Sequence, residues 1–239
     1  MMLKDYVVVD LEMTGLKAKT DRILEIGSVK VTDGMETAVF HCMVNPHMEI
    51  PPEITDLTGI TNEMAAQGLE AAEAVREFAA FSRSLPLIGH NILFDYSFLK
   101  QAAVNHGIPF EKECLDTLKL ARKYLPEAEK KTLDYLCGLL GIRQEEKHRA
   151  LEDAKATQAL FRYLQEKFGE ANPSAFCPTP LPCRVKKQGP ASPRQIRRLK
   201  ELAAYHRLPL KMDPQSLTKS EASRLTDKIL AAYGRIPQP

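Results

Sequence analysis

The feature that most constrains this chain is a short apolar segment that carries two acids. Residues 6–16 read YVVVDLEMTGL, and three consecutive valines are typical of a buried β-strand. Because alternate residues of a strand project from one face, Asp10 and Glu12 must lie side by side. Two carboxylates this close, and partly removed from water, repel each other unless a cation lies between them. The segment therefore predicts either a divalent-metal site or a strand end where both acids reach solvent.

The composition predicts a globular protein of the cytoplasm. Of the 239 residues, 44% are apolar and 27% are charged, and no apolar run approaches the roughly 18 residues of a membrane span. The apolar run near the N-terminus is short and is interrupted by acids, which argues against a signal peptide. Five cysteines without a CxxC pair favour reduced thiols over disulfides. We therefore expect a cytoplasmic protein without a membrane partner.

The charge is divided unevenly along the chain. From Arg184 to the C-terminus there are 13 Lys and Arg against 4 Asp and Glu, whereas the preceding residues have 20 basic and 27 acidic side chains. An acidic body with a basic tail favours metal chemistry in the first part and polyanion contact in the second. A basic surface that is merely solvated is the alternative.

Hydrophobic patterning predicts an α/β domain over residues 1–170. After the opening strand within residues 6–16, the predicted strands are 23–32, 37–44, 85–89 and 114–115. Asp33-Gly34 is a hairpin signal, so the first three strands should form an antiparallel meander. Residues 45–62 are rich in proline and threonine and are predicted to be a surface loop with one helical turn at most. Strand and helix then alternate, with Asn91 as an expected N-cap, which indicates a mixed sheet flanked by helices.

The C-terminal part is predicted to be a linker followed by a small helical unit. Residues 171–191 contain five prolines, which is linker chemistry. In residues 192–239 the sequences SPRQ and TKSE are capping boxes, which predict two helices. So small a unit has a thin core and is expected to dock on something or to be barely independent. The first helix contains four basic residues, Arg194, Arg197, Arg198 and Lys200, which favour nucleic-acid tethering.

Further acids could join Asp10 and Glu12 in a site assembled by the fold. Asp95 lies in HNILFD, and Asp153 lies in HRALED close to His148. Each acid could instead favour the positive end of its own helix, and the histidine could be a surface or capping residue. Positions five apart on a helix differ by about 140°. His148 and Asp153 can therefore face one site most easily if the histidine lies in the loop before the helix.

Three ordered motifs resemble one family. The segments VVVDLEMTG, GHNILFD and HRALEDA, together with DLTGIT and LDTLKLAR, are similar to the DnaQ-like 3′ to 5′ exonucleases of the DEDDh group. The branch that includes the proofreading ε subunit and the PolC exonuclease domain of bacterial DNA polymerase III is the most similar. The resemblance covers residues 5–168. It implies a ribonuclease H-like mixed five-stranded sheet flanked by helices.

The resemblance also implies a mechanism. Asp10, Glu12, Asp95 and Asp153 would hold two divalent cations, Mg²⁺ or Mn²⁺, about 4 Å apart at the terminal phosphodiester. His148 would take a proton from the attacking water, a role that suits an imidazole because histidine ordinarily titrates near neutrality. Nucleoside 5′-monophosphates would leave the 3′ end one at a time.

The same resemblance implies seven substrate-binding residues: Met13, Thr14, Leu57, Ile60, His90, Asn91 and Phe94. Thr14 and the backbone near Met13 would contact the terminal 3′ hydroxyl. Leu57 or Ile60 would wedge against the last bases, although apolar loop residues are more often local packing. The remaining three would line the pocket. Contacts of this kind favour single strands and give little base specificity.

The sugar of the substrate stays open. Met13 stands where many DNA-directed members have threonine, and DLEMTG resembles the oligoribonuclease branch. We predict an exonuclease acting on single-stranded DNA ends in repair or proofreading, with a DNA polymerase as a candidate partner. The alternatives are an exoribonuclease that trims RNA and, from another class, a non-catalytic nucleic-acid-binding subunit. The presence of four acids and the histidine argues against the last.

Overall fold

The computed structural model describes residues 2–237. In chain order, its strands and helices are β1 (Tyr6–Met13), β2 (Ile23–Thr32), β3 (Met35–Met43), α1 (Pro52–Thr58), α2 (Asn62–Ala66), α3 (Ala71–Ser82), β4 (Leu87–Gly89), α4 (Ile92–Asn105), β5 (Glu113–Asp116), α5 (Thr117–Tyr124), α6 (Leu133–Leu140), α7 (Ala150–Phe168), β6 (Thr179–Pro180), α8 (Pro193–Tyr205) and α9 (Lys219–Tyr233). Two 3₁₀ helices cover Pro173–Phe176 and Pro214–Ser216. Among these residues, no helix has the length and apolar character needed to cross a bilayer.

The strands of residues 2–237 form one mixed sheet in the order β3-β2-β1-β4-β5-β6. β1 pairs antiparallel with β2 and parallel with β4, and the β2–β3 pair is the predicted hairpin. The predicted α/β class and flanking helices are confirmed. The sixth strand was not predicted, because it comes from the proline-rich segment. Pro180 is tolerated there because an edge strand does not need every N–H for pairing.

β1 lies between two helical layers. One face contributes four apolar side chains to the core formed with α3 and α4: Val7, Val9, Leu11 and Met13. The opposite face begins with Tyr6 and Val8, which pack in the core that includes α7. Because the side chains alternate, Asp10 and Glu12 continue this second face beyond its apolar part. The fold therefore directs both acids toward the start of α7.

The prediction of a loop with at most one helical turn at 45–62 is wrong. Pro52 occupies the first turn of α1, and Gly59 ends that helix at φ 71°. Thr61 then caps α2 by accepting a hydrogen bond from a backbone N–H. Ile50 and Ile60 are buried in a small cluster beneath the two helices. Proline and threonine here are helix-start signals, and that role was missed.

The two predicted C-terminal capping boxes are both formed. Ser192 and Gln195 cap α8 reciprocally, and Thr218 and Glu221 do the same for α9. The two helices share a small core of their own that includes Leu199. This thin core is supplemented by contacts with the rest of the chain, which are described below.

Candidate active site

The two acids of β1 lie at the end of the central strand. Asp10 is opposite Gly27 and Glu12 is opposite Glu25 on β2. Both acids are half-buried. The β1–β2 register shifts directly after Glu12, a local irregularity of the kind that re-aims side chains next to a site.

His148 and Asp153 come to this strand end from the start of α7. One ligand atom each of Glu12, His148 and Asp153 can be chosen so that all three lie within 4.8 Å of one another. His148 stands two residues before α7 with a positive φ of 57°. The histidine therefore lies in the loop before the helix, as the spacing predicted. Asp153 is buried in the first turn of α7.

Asp95 approaches from the other helical layer. It lies in the first turn of α4 and is 4% exposed. Burial raises the pKa of its carboxyl, and the nearby backbone of Asp95 itself and of Leu11 on β1 partly opposes that effect. The charges of Asp95, Asp153 and Glu12 all act on Asp10. The structure thus brings together the four predicted acids and the predicted histidine.

The electrostatics of this cluster are those of a cation site. Burial, followed by the charges of Asp95 and Asp153, raises the pKa of Asp10 well above its usual value. Burial and the neighbouring acids raise the pKa of Glu12 to about 8, and burial raises that of Asp95 to about 7. Carboxylates this close and this buried repel one another when ionised. They fit a hard divalent cation, which would favour the ionised form of every acid. The donor set therefore fits the divalent ions expected from the sequence.

Glu25 and Arg149 are parts of the site that sequence reasoning missed. Glu25 is 1% exposed, and its carboxylate accepts hydrogen bonds from Arg149 at 2.8 Å and from the Ala150 backbone N–H at 3.0 Å. His41 Nε2 lies 2.6 Å from the same carboxylate. Burial alone would raise the pKa of Glu25, but these hydrogen bonds lower it to about 2. An ionised Glu25 therefore ties the start of α7, and with it the neighbouring His148, to β2.

Gly27 allows α7 to approach the sheet closely. A Cβ at this position would lie 2.1 Å from backbone atoms of Ala150 and Leu151. Only glycine permits that contact without a shift of backbone. The helix start is thereby placed directly beside Asp10, the strand partner of Gly27.

Gln144 is a further residue that sequence reasoning missed. Its side-chain amide donates a hydrogen bond to Asp153 Oδ1. Its own carbonyl oxygen is buried without a partner in the described part of the chain. Nothing in the residue pattern of the predicted loop marked this glutamine, because the contact depends on how the loop folds back onto α7.

Thr14 and Met13 are held by internal contacts. The Thr14 hydroxyl accepts a hydrogen bond from the Arg22 backbone N–H at 2.9 Å, and its own N–H donates to the Arg22 carbonyl at 2.8 Å. Thr14 is buried, and the Met13 side chain lies in the core shared with α3 and α4. The Met13 side chain therefore points away from the face that carries the acids.

The two candidate wedge residues differ in exposure. Leu57 on α1 is 51% exposed, whereas Ile60 is completely buried. Ile60 packs with Leu24, Ile50 and Ala65. Its role in the structure is local packing, so the wedge hypothesis continues for Leu57 alone.

The three predicted pocket residues follow β4. His90 Nε2 lies 2.7 Å from the Lys131 carbonyl and Nδ1 lies 2.9 Å from Thr117 Oγ1, so both ring nitrogens are engaged. Burial lowers its pKa. Asn91 occupies the N-cap position of α4 as predicted, but its exposed side chain makes no capping hydrogen bond and its φ is 71°. Phe94 is half-buried, with its ring 5.4 Å from that of Phe98.

Asp116 explains the conformation of Asn91. Its carboxylate accepts hydrogen bonds from the backbone N–H of Asn91 at 2.9 Å and from that of Leu118 at 3.0 Å. One acid thus caps α5 and also holds the turn before α4. This second role requires β4 and β5 to be neighbours, which the local sequence does not reveal.

A mixed sheet with acids gathered at the end of its central strand defines a ribonuclease H-like exonuclease domain. Residues 7–161 match the model of the family described as exonuclease, the RNase T family, and the chain belongs to this family. The predicted family and enzyme class are confirmed. Membership implies divalent metal ions, in agreement with the donor set at the strand end.

Similar proteins include bacterial polymerases. The chain is 37% identical over 166 residues to a PolC-type DNA polymerase III of Clostridium perfringens, a match that spans 70% of this chain and 12% of the relative. It is 38% identical over 168 residues to the PolC-type DNA polymerase III of Oceanobacillus iheyensis, with shares of 69% and 12%. The chain thus corresponds to about an eighth of each polymerase.

Similar solved structures are exonucleases. Exonuclease X in complex with 5′ overhanging duplex DNA has a TM-score of 0.56 and 26% identity, covering 69% of this chain and 93% of that one. E. coli exonuclease I in complex with a dT13 oligonucleotide has a TM-score of 0.63 and 16% identity, covering 72% and 43%. The second likeness supports the fold alone.

Proposed function

We propose that this chain is a metal-dependent 3′ to 5′ exonuclease that removes nucleoside 5′-monophosphates from single-stranded DNA ends. The observation that supports it most strongly is the convergence of four acids and one histidine from β1, α4 and α7. Five such groups beside one strand end have no structural role that requires all of them. The raised pKa values of Asp10, Glu12 and Asp95 are a cost to the folded chain that bound cations would offset.

The four acids have distinct positions around the proposed metal pair. Asp10 is influenced by the charges of both Asp95 and Asp153, and as in the family that this chain resembles it would help to hold both cations. Glu12 and Asp153 would complete one ion's ligands, and Asp95 would hold the other. Bound divalent cations would stabilise negative charge on the scissile phosphate and on the leaving 3′ oxygen.

His148 is the proposed general base. It has a ring nitrogen within 4.8 Å of carboxylate oxygens of Glu12 and Asp153. The imidazole is therefore close enough to act on a water bound beside these acids. The imidazole would accept the proton of the attacking water and release it to solvent. The salt bridge between Arg149 and Glu25, 2.8 Å long, holds the neighbouring backbone.

A single-stranded substrate fits the surroundings of the cluster. Leu57 is exposed, and Phe94 is half-buried at the start of α4, so apolar side chains are available for base contact without a sequence code. Exonuclease X, which is 26% identical and was solved with a 5′ overhanging duplex DNA, supports DNA as the polymer. The similarity to PolC-type polymerases supports proofreading or repair, with a DNA polymerase as partner.

The domain division is proposed as residues 1–170 for the exonuclease domain, 171–191 for a linker and 192–239 for a small basic helical unit. Two contacts refine it. The linker contributes β6 to the sheet, and Phe176 is buried against the core that includes α7. The linker is therefore attached to the catalytic body over part of its length.

The test is a time course on matched DNA and RNA oligomers labelled at the 5′ end. With Mg²⁺ or Mn²⁺ we expect a stepwise ladder that shortens from the 3′ end and a faster rate on DNA, and with EDTA no cleavage. Faster cleavage of RNA would establish the trimming alternative. Binding of both oligomers without cleavage in either metal would contradict the proposal and support a non-catalytic subunit.

A further inference from the structure

The first helix of the C-terminal unit, α8, presents an exposed stripe of two arginines and a tyrosine beside its buried side. Arg194, Arg198 and Tyr205 are spaced by four and seven residues, so they share one face. The apolar residues Leu199 and Leu202 are buried on the adjoining face. The three side chains of the stripe are exposed.

The basic side chains of α8, on the stripe and beside it, are not neutralised by the protein. Arg194, Arg197, Arg198 and Lys200 are exposed, and none forms an ion pair within residues 2–237. Glu201 is the one acid of α8, and it lies on the face of Arg194 and Arg198. The helix therefore offers a net positive surface to solvent along about two turns, from Arg194 to Lys200.

The stripe ends in an exposed aromatic cluster. Tyr205 is 52% exposed and Tyr233, at the end of α9, is 56% exposed. His206 lies between them, with ring centroids 4.9 Å from Tyr205 and 5.5 Å from Tyr233. Two exposed tyrosines grouped around a histidine provide flat surfaces on which bases can stack.

The unit that carries this surface is docked on the exonuclease body. Glu221 Oε1 accepts hydrogen bonds from Arg22 Nη2 at 2.8 Å and from its Nε at 3.0 Å. The Asp213 N–H donates to the His47 carbonyl at 3.0 Å, and the Glu49 N–H donates to the Lys211 carbonyl. These contacts are made on both sides of the unit's connecting turn, so α8 has a defined position on the body.

The docking point is connected to the strand end that carries the acids. The Arg22 backbone N–H donates to the Thr14 hydroxyl, and the Arg22 carbonyl accepts from the N–H of Thr14, which follows β1 directly. The Arg22 side chain binds Glu221. The C-terminal unit is thus linked through Arg22 to the segment that directly follows the strand of Asp10 and Glu12.

We infer that the α8 stripe and the cluster of Tyr205, His206 and Tyr233 form a second contact for single-stranded nucleic acid, upstream of the 3′ end held at the acids. Arginines would bind backbone phosphates, and the tyrosines would stack on bases. The inference rests on the proposed function, which identifies the bound polymer as single-stranded nucleic acid. Binding at α8 can be measured without cleavage.

The test measures binding without cleavage. A 5′-labelled single-stranded DNA of about 20 nucleotides is titrated with the full chain in EDTA and followed by fluorescence anisotropy at several salt concentrations. The variants are Arg194→Gln with Arg198→Gln, and separately Tyr205→Ala. The matched control is Arg162→Gln with Lys167→Gln, two basic residues on an exposed part of α7 that belong to neither proposed contact.

We expect the double arginine variant to bind at least about tenfold more weakly and to lower the salt slope by about 1.4, the value for two lost phosphate contacts on a single strand. Tyr205→Ala should weaken binding about fivefold or more, because stacking on one base is lost. The control should bind like the parent, and circular dichroism should show all variants folded.

Parent-like affinity and salt slope in the folded arginine variant would overturn the inference, as would an equal loss in the α7 control. A parent chain that binds the DNA through α8 but leaves labelled oligomers intact in Mg²⁺ and Mn²⁺ would contradict the proposed function and support this binding surface.

Discussion

Replacement of Glu25 by glutamine tests the connection between the sheet and the start of α7. Glutamine keeps the shape of the side chain and one acceptor oxygen, but it removes the charge that faces Arg149 and His41. The pKa of Glu25 is lowered from 4.5 to about 2, which corresponds to about 3 kcal/mol in favour of the ionised form in the folded chain. The side chain is 1% exposed, so solvent screens little of this energy.

The sign of the pH dependence follows from the lowered pKa. The stabilisation by Glu25 is fully present above pH 4.5, where the unfolded chain is also ionised, and is lost as the pH falls toward 2. We therefore expect Glu25→Gln to lower the free energy of unfolding by about 3 kcal/mol at pH 7 and by about 1 kcal/mol at pH 3. Turnover should fall as well, because the segment that holds His148 loses its anchor.

The assay is urea unfolding of the metal-free parent and variant at both pH values. The control is Glu166→Gln, which removes an exposed pair with Arg162 on the same helix and should cost less than about 0.5 kcal/mol. A variant as stable as the parent at pH 7, or a loss that is the same at pH 7 and pH 3, would refute the role of the ionised Glu25.

Three further predictions concern the same region. The pKa of Asp95 is raised to about 7 and that of Glu12 to about 8, so the folded chain favours the protonated form of both acids. Their contribution to stability is lost as the pH rises through those values. The metal-free melting temperature should therefore be lower at pH 8.5 than at pH 6, and Mn²⁺ should reverse the difference. A melting temperature that rises over this range in EDTA would contradict the assignment. Gly27→Ala should destabilise the fold by about 2 kcal/mol or more in urea, since a Cβ would meet the backbone of Ala150; unchanged stability would show that α7 moves freely. His148→Ala should abolish most turnover while Mn²⁺ binding, followed by the electron spin resonance of free Mn²⁺, largely persists; undiminished turnover across neutral pH would exclude the histidine as the base.

The residues whose role depends on local pattern could be predicted. The alternation of β1 fixed the shared face of Asp10 and Glu12, and the five-residue spacing placed His148 in the loop before α7. The C-terminal helices were also predictable, because each capping box consists of four consecutive residues and can be recognised without knowledge of the fold. Each of these inferences uses only the geometry of one strand or one helix end.

The residues whose role depends on tertiary pairing could not be predicted. Glu25 lies on a strand with regular alternation, and its partner Arg149 is 124 positions away. Ile60 was a wedge candidate because of the family resemblance, yet it is buried in a cluster with Ile50 and Ala65. Thr179 joins the sheet only because β5 leaves a free edge beside it. The sequence around each of these residues does not indicate which distant residue it will contact.

The most direct test of the account is the release of nucleoside 5′-monophosphate from single-stranded DNA as Mn²⁺ is added back to metal-free protein, compared between the parent and Asp10→Asn. We predict no release in EDTA, recovery in the parent as Mn²⁺ is added, and a rate at least about a thousandfold lower in the folded variant. Release by the metal-free parent, or equal rates in parent and variant, would contradict the proposal that the acids at the end of β1 form the metal centre of an exonuclease.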